Sequence, residues 1–190
     1  GENAIAGLKG FGAKSQQKML DGIELLARFR SRRRLDIGLM YGEAFEQKIA
    51  AIDGVVKAQL AGSARRRKET IGDLDIVVGV LDADKEKVSK AILGLPGIAD
   101  VKGAGDSKIS LILDTSIFDG GFSLGHIDNN VMEAIGGDDY EQLESGGTID
   151  AQVRLVTPGV FPFTLAYFTG SKEHNIIMRQ RAIDRGLRLS

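Results

Sequence analysis

Cysteine is absent from this 190-residue chain, and so is any apolar run long enough to cross a bilayer. Without cysteine there can be no disulfide, thiolate zinc site or cysteine nucleophile, and such a composition favours a reducing compartment. The first residues also lack the basic-then-apolar order of a signal peptide. We therefore expect a cytoplasmic protein with no membrane partner, long enough to form one domain, or one and a half, without covalent staples.

The chain also has almost no net charge, with 25 lysines and arginines against 26 acidic residues, but the charges are unevenly distributed. Residues 1–34 carry eight basic side chains and three acids, whereas residues 109–149 carry eight acids and no lysine or arginine. A ligand that is a polyanion, held at one end of the molecule, would use this separation. The plainer alternative is that both charge runs are solvated surface.

The periodicity of apolar residues predicts an α/β (α+β) fold, in which a mixed sheet flanked by helices follows a small helical module. A Gly-rich and acidic segment at 114–147 has little periodicity and predicts a long loop inserted between two strands. The first predicted helix begins near residue 15, and four others cover 39–52, 84–95, 160–168 and 172–185. The predicted strands are 55–61, 74–80, 98–105, 108–113 and 148–156.

Two aspartates, Asp73 and Asp75, stand one residue apart at the start of the apolar run 74–80. Residues two apart on a strand point to the same side, so the two carboxylates project together. Asp150 lies on the strand 148–156, and at a matching height on an adjacent strand it would join the pair. Carboxylates about 4 Å apart repel by about 4 kcal/mol at an effective dielectric near 20, which a divalent cation would offset. Oxygen-only ligands favour Mg²⁺, and three carboxylates suit a two-metal phosphoryl-transfer site.

A basic turn precedes the aspartates. Gly62 and Ser63 follow a predicted strand, and a glycine there allows close backbone approach while the serine hydroxyl and free amides can meet a phosphate. The arginines 65–67 cannot all face one way, so we expect one or two to contact a ligand. The alternative is a solvated helix face whose arginines pair with the aspartates, but the joint spacing of turn, arginines and aspartates favours a phosphate site.

The N-terminal segment contains a glycine hairpin. Gly10 and Gly12 around Phe11 allow backbone amides to face a phosphate, and the following helix adds its N-terminal dipole. Binding of this kind is independent of base sequence and strongly dependent on salt. A turn that serves only to connect two helices is the alternative. The lysines around the hairpin are Lys9, Lys14 and Lys18.

The pattern G-S-x-x-R, a short spacer and G-D-x-D in residues 62–75 resembles the nucleotidyltransferase signature of the family X DNA polymerases, the polymerase beta group, and especially its bacterial and archaeal members. Three more segments agree in the same order. Residues 7–24 resemble the helix-hairpin-helix ahead of the palm, residues 149–156 the strand with the third aspartate, and residues 167–182 the start of the thumb.

The resemblance implies two Mg²⁺ ions per site, with Mn²⁺ as a substitute, held by Asp73 and Asp75. Asp150 would join them at the catalytic metal and activate the primer 3′-hydroxyl. Tyr167 and Phe168 would lie against the sugar of the incoming dNTP, unless they are simply core aromatics at a helix end. The residues that the resemblance assigns to the nucleotide are Gly62, Ser63, Arg66, Gly72, Tyr167, Phe168, Gly170 and Asn175. Those that it assigns to DNA are Lys9, Gly10, Gly12, Lys14, Lys18 and Arg179. In some members of the family, a monovalent cation takes part in the DNA contact at the hairpin.

The implied organisation is a helix-hairpin-helix DNA-binding module at 1–53, a palm at 54–158 and the start of a thumb at 159–190. The implied function is template-directed addition of dNTPs to a primer, filling short gaps during DNA repair, by a monomer at the prokaryotic nucleoid. Two alternatives stay open, a nucleotidyltransferase with a non-DNA substrate and a DNA-binding fragment without catalysis. The chain departs from the family at Gln152, where arginine is common. No segment of the sequence corresponds to the lyase-type domain of the family. We therefore expect a fragment of a longer polymerase or a reduced relative.

Overall fold

The computed structural model describes residues 12–30, 32–116 and 147–188, with the backbone alone for 24–30. The predicted DNA contacts Lys9 and Gly10 lie outside these ranges, as does most of the predicted insertion. None of the helices in the described part of the chain is long and apolar enough to span a membrane.

Helices and strands alternate up to residue 71, and after it consecutive strands and consecutive helices also occur. The helices are α1 (Ala13–Arg30), α2 (Leu35–Ala50), the short α3 (Gly62–Arg65), α4 (Lys85–Leu93), α5 (Phe161–Thr169) and α6 (Lys172–Ile183), and a 3₁₀ turn at Asp82–Asp84 precedes α4. The strands are β1 (Arg33–Arg34), β2 (Val55–Leu60), β3 (Thr70–Ile71), β4 (Asp73–Val80), β5 (Ile98–Ala104), β6 (Lys108–Asp114) and β7 (Thr148–Val156).

Five of the strands form a mixed sheet in the order β2-β4-β7-β6-β5. The central pair, β4 and β7, is parallel, while the pairings of β2 with β4, β7 with β6 and β6 with β5 are antiparallel. The predicted mixed α/β sheet flanked by helices is therefore confirmed. The parallel pair matters most for the site, because it fixes which residues of the two central strands stand side by side.

One face of the sheet holds the main core. Alternate residues of β4 and β7 turn to this side, where α2 and α4 cover them with side chains such as Phe45 and Ile49 from α2 and Ile92 from α4. Burying a side chain of this size contributes about 1.5–3 kcal/mol. The division of the chain near residue 53 stays a prediction, and α2, on its N-terminal side, shares the core of the sheet.

The opposite face is only partly covered. At one end of β4, Val77 packs with Ala61 and with Phe161 and Leu165 of α5. Gly79 makes this possible, since a Cβ at that position would lie 3.2 Å from the Phe161 ring. The other end of the same face, where β4 and β7 begin, is left for polar residues and forms the candidate site described below.

Two features of the fold differ from the prediction. Helix α2 begins at Leu35 rather than near Leu39, because the residues added at its start pack against the core. The pairing of β1 with β3 is not predicted at all, since strands of two residues are too short to show alternation. This small sheet joins the segment after α1 to the residues just before Asp73.

The inserted segment leaves and re-enters the sheet at one point. Thr148 pairs with Asp114 across β6 and β7, and the backbone N–H of Thr115 donates to the carbonyl of Gly147 at 2.8 Å. The Thr115 hydroxyl makes a second bond to the same carbonyl at 2.8 Å. The segment therefore joins two adjacent antiparallel strands, and residues 117–146 lie outside the described ranges.

Candidate active site

The register of β4 and β7 places the three predicted carboxylates on one face. Asp73 is paired with Asp150, and Asp75 with Gln152, in the parallel ladder. The alternating neighbours Leu74 and Ala151 are buried on the opposite face. Paired residues of adjacent strands lie about 4.8 Å apart, so the sheet brings Asp73, Asp75 and Asp150 to one end of one surface. The matching height of Asp150, which the sequence left as a condition, is given by this register.

The carboxylate of Asp75 is destabilised where it lies. Burial first, and then the charge of Asp73, raise the pKa of Asp75 from 3.8 to about 6, against the opposing effect of Arg154, Arg66 and Lys108. Ionised Asp75 therefore costs free energy in the folded chain unless further positive charge arrives. The oxygen donors of Asp73 and Asp75 fit a hard divalent cation, which would supply that charge.

Asp150 forms an ion pair with a lysine of another strand. Its Oδ1 accepts a hydrogen bond from Lys102 Nζ of β5 at 2.6 Å, and both side chains are about half exposed. Within residues 12–30, 32–116 and 147–188, no three Asp, Glu, His or Cys side chains are grouped closely enough to hold a metal ion. The predicted ligand set is therefore aligned by the sheet, while its third member is engaged by a lysine.

Gly62 is required by the geometry of Asp75. Its φ of +56° lies in the left-handed region, and a Cβ at this position would overlap Oδ2 of Asp75. The neighbouring Ala61 donates its N–H to the Asp75 carbonyl at 2.8 Å, which holds the two segments together. The glycine of the G-S turn thus leaves the space that the Asp75 carboxylate occupies.

A cleft of about 1200 Å³ opens between the start of β4, the α3 turn and the α5–α6 junction. Its volume exceeds the roughly 300–1,000 Å³ that is usual for a site holding one small ligand. Seven of the predicted nucleotide ligands line it, together with Asp73 and Asp75, while Gly72 and Asp150 are not among its described wall residues. Those seven are Gly62, Ser63, Arg66, Tyr167, Phe168, Gly170 and Asn175.

Arg66 crosses the cleft from the α3 turn to the end of α5. Its guanidinium donates to the carbonyl of Thr169, and Gly170, at φ +72°, leaves room for it, since a Cβ there would lie 3.0 Å from Nη1. Arg66 Nε and Ser63 Oγ are both buried without a hydrogen-bond partner among the described residues. Arg65 faces a second, smaller cavity instead, as expected if the three arginines do not all point one way.

The aromatic pair at the end of α5 forms a wall of the cleft. Tyr167 is 51% exposed, so it is not a core aromatic, and its ring meets Phe168 edge-on at 5.3 Å. The Arg154 guanidinium lies over the Phe168 ring, 4.6 Å from its centroid. Asn175 Nδ2 donates to the Tyr167 carbonyl at 2.8 Å, and Arg179 lies 3.5 Å from the Tyr167 hydroxyl.

Several charged residues of the site were not predicted from the sequence. Arg154 could have been predicted, because it lies four residues after Asp150 on β7 and so points to the same face of the sheet. Arg32 could not, because it reaches the cleft by donating to Thr70 Oγ1 at 2.8 Å and to the Thr70 carbonyl at 2.7 Å, a contact set by tertiary pairing. The unpredicted cations that line the cleft are Arg32, Lys68 and Lys172, whereas Arg67 is one of the three arginines of which one or two were expected to contact a ligand.

Of the predicted DNA contacts in the N-terminal module, Gly12, Lys14 and Lys18 are described, and they lie at the start of α1. The Gly12 carbonyl accepts the first bonds of the helix, from the N–H groups of Ser15 and Gln16 at 2.9 and 3.1 Å. Lys14 and Lys18, four residues apart on one side of the helix, are exposed. The DNA contacts assigned to this segment stay a prediction.

Two comparisons with known proteins agree with this arrangement. A family model described as DNA polymerase beta thumb matches residues 164–190. The DNA polymerase/3′-5′ exonuclease PolX of Bacillus subtilis (strain 168) is 33% identical over 189 residues, an alignment that covers 100% of this chain and 28% of that protein.

The mixed α/β sheet flanked by helices and the thumb match define a fragment of the polymerase beta type. The similarity to PolX along the whole length of this chain supports a relationship to the family X DNA polymerases. It spans 28% of the length of the curated relative that it matches.

Proposed function

We propose that this chain carries the nucleotidyltransferase site of a template-directed DNA polymerase, which adds dNTPs to a primer 3′-hydroxyl in short gaps during repair. The observation that supports it most is the parallel register of Asp73 with Asp150, which brings three carboxylates to one face beside a cleft lined by arginines. This juxtaposition suits a reaction in which a hydroxyl attacks a phosphate that is held by cations.

The charge of the cleft favours a polyanionic substrate. Among its described lining residues, six lysines and arginines face three acids, and none of the six forms an ion pair with a described carboxylate. Their mutual repulsion would be relieved by a ligand with several negative charges. A dNTP and the phosphates of a DNA strand together supply them.

Asp73, Asp75 and Asp150 are the residues that would hold two Mg²⁺ ions, with Mn²⁺ as a substitute. When bound, these ions lower the pKa of the attacking hydroxyl and neutralise the triphosphate. The raised pKa of Asp75 supports this assignment, because a buried carboxylate beside a second one gains most from an added cation.

The α3 turn, with Ser63 and Arg66, would hold the triphosphate. Ser63 Oγ and Arg66 Nε are buried polar groups with no partner in the described part of the chain, and such groups are rare unless a ligand or water satisfies them. Phosphate oxygens would accept from both. Arg66 is already fixed by its bond to the Thr169 carbonyl, so little side-chain entropy remains to be lost on binding.

The base and sugar would lie against the α5–α6 wall. The exposed ring of Tyr167 offers an apolar surface to a deoxyribose, and the Asn175 amide is held by the Tyr167 carbonyl at the same wall. Arg179 would contact the template strand. The thumb match suggests DNA binding by this part of the chain, and Lys14 and Lys18 would extend the contact to the duplex backbone.

Primer extension on a gapped duplex tests the proposal directly. The full chain is assayed with Mg²⁺ and all four dNTPs, alongside Asp73→Ala and the control Asp106→Ala, which removes a carboxylate from the exposed turn between β5 and β6. We expect the wild-type chain and the control to extend the primer. Asp73→Ala should reduce the rate by about 10²–10³-fold, the cost of losing one group that stabilises a transition-state charge.

The other outcomes separate the alternatives. Equal extension by the wild-type chain and Asp73→Ala contradicts the assignment of the carboxylates. Binding of gapped DNA without any extension, with Mg²⁺ or Mn²⁺, favours a DNA-binding fragment that lacks catalysis. The absence of salt-dependent duplex binding favours a nucleotidyltransferase with a non-DNA substrate.

A further inference from the structure

Lys102 is brought to the candidate site by an irregularity in an edge strand. The pairing of β5 with β6 shifts register between Val101 and Gly103, so Lys102 is the extra residue of a β-bulge. Bulges bend a strand and redirect a side chain, and they are frequent beside active sites. Here the redirected side chain ends on Asp150.

The contact spans two strand spacings. Since β6 lies between β5 and β7, the backbones that carry Lys102 and Asp150 are roughly 10 Å apart. The lysine reaches across β6, where Ile112 is the partner of Asp150, and places Nζ 2.6 Å from Oδ1. A long, flexible side chain reaches this far only if it is aimed across the sheet, which the bulge provides.

We propose that Lys102 is a positioning residue that competes with the divalent metal ion for Asp150. This inference rests on the proposed function, because it assumes that Asp150 is a metal ligand. In the resting chain, the ammonium group supplies the positive charge that the third carboxylate needs beside Asp73. Metal binding must first displace it, so Lys102 raises the metal concentration at which the site assembles.

The location of this ion pair is distinctive among the described residues. Two of the other pairs lie within one helical turn, Lys85 with Asp82 and Lys90 with Glu86. The Lys102 pair alone, in the described ranges, involves a predicted metal ligand. It also accounts for an aligned ligand set that is not closed into a metal cluster.

Mn²⁺ binding, followed by electron paramagnetic resonance on the full chain at low ionic strength, tests the inference without an activity assay. The variant is Lys102→Gln. The matched control is Lys87→Gln, which removes the same charge from another exposed ion pair, that with Asp53. We expect Lys102→Gln to bind Mn²⁺ about two- to fivefold more tightly, the range of an exposed ion pair, and Lys87→Gln to match the wild type.

A double-mutant cycle separates competition from a change in overall charge. In an Asp150→Asn background, Lys102→Gln should no longer alter Mn²⁺ affinity. The inference is overturned if Lys102→Gln binds Mn²⁺ as the wild type does or more weakly, or if Lys87→Gln tightens binding equally. Circular dichroism of each variant verifies that it is folded.

The same measurement distinguishes failure of this inference from failure of the proposed function. If Asp73→Asn and Asp75→Asn leave Mn²⁺ affinity unchanged, the metal assignment fails and the role of Lys102 fails with it. If both variants lose Mn²⁺ binding while Lys102→Gln behaves as the wild type, the metal assignment stands and only the role of Lys102 is rejected.

Discussion

Replacing Asp75 with asparagine should stabilise the chain in the absence of metal. The carboxylate is placed where burial and the neighbouring Asp73 charge raise its pKa to about 6. An amide of the same shape keeps the contacts with Gly62 and Ala61 and removes the charge. We therefore expect Asp75→Asn to raise the free energy of unfolding at neutral pH.

The size and pH dependence of the effect follow from linkage. Between pH 3.8 and about 6 the folded chain binds more protons at Asp75 than the unfolded chain does, so stability falls as the pH rises through this window. Above it the full deficit remains, at most about 3 kcal/mol. Solvent in the cleft screens the charge, so we expect a gain of about 1–3 kcal/mol for Asp75→Asn at pH 8, which vanishes near pH 3.8.

Urea unfolding followed by far-ultraviolet circular dichroism measures this gain, since the chain has no tryptophan for fluorescence. The control Asp106→Asn should change stability by less than about 0.5 kcal/mol at every pH. Mg²⁺ should shrink the difference by stabilising the wild type. The reasoning is refuted if Asp75→Asn is no more stable than the wild type at pH 8, or if its gain is equal at pH 4 and pH 8.

Three further perturbations test other parts of the account. Gly62→Ala should abolish primer extension and cost at least about 1 kcal/mol of stability, because its Cβ would overlap the Asp75 carboxylate at a left-handed φ. The control is Gly103→Ala, which has open space around it. Normal extension by the Gly62 variant would contradict the site geometry. Phe45→Ala should cost about 3–5 kcal/mol in urea unfolding, and a loss below 1 kcal/mol would mean that the α2 face is not core. In a plot of the logarithm of the duplex binding constant against the logarithm of salt concentration, Lys14→Ala should make the slope shallower by about 0.9. An unchanged slope would exclude a phosphate contact at Lys14.

Local patterns were sufficient to predict most of the fold. The alternation in 148–156 and the apolar run after Asp73 predict two strands, and the spacing of Asp73 and Asp75 predicts that these two carboxylates share a face. The position of Asp150 beside them depends on strand pairing, which only the structure gives. The G-S turn before the arginines predicts a phosphate site, and the structure places Ser63 and Arg66 on one cleft. These predictions depend on periodicity and on residues close in sequence, which the sequence displays directly.

The contacts that could not be predicted join distant segments. Arg32 reaches the cleft only through its bonds to Thr70, and the β1–β3 pairing that accompanies them is too short to leave a pattern. Lys102 reaches Asp150 because a bulge in β5 redirects it, and no sequence signal marks that bulge. Both contacts arise from strand order and register, which depend on packing of the whole sheet.

The most direct test of the central claim is the location of Mn²⁺ by anomalous diffraction, in crystals of the full chain with gapped DNA and a non-hydrolysable dNTP. The account predicts anomalous peaks within coordination distance of carboxylate oxygens of Asp73, Asp75 and Asp150, with Lys102 displaced from the last. Peaks elsewhere, or a nucleotide bound away from Ser63 and Arg66, would contradict it.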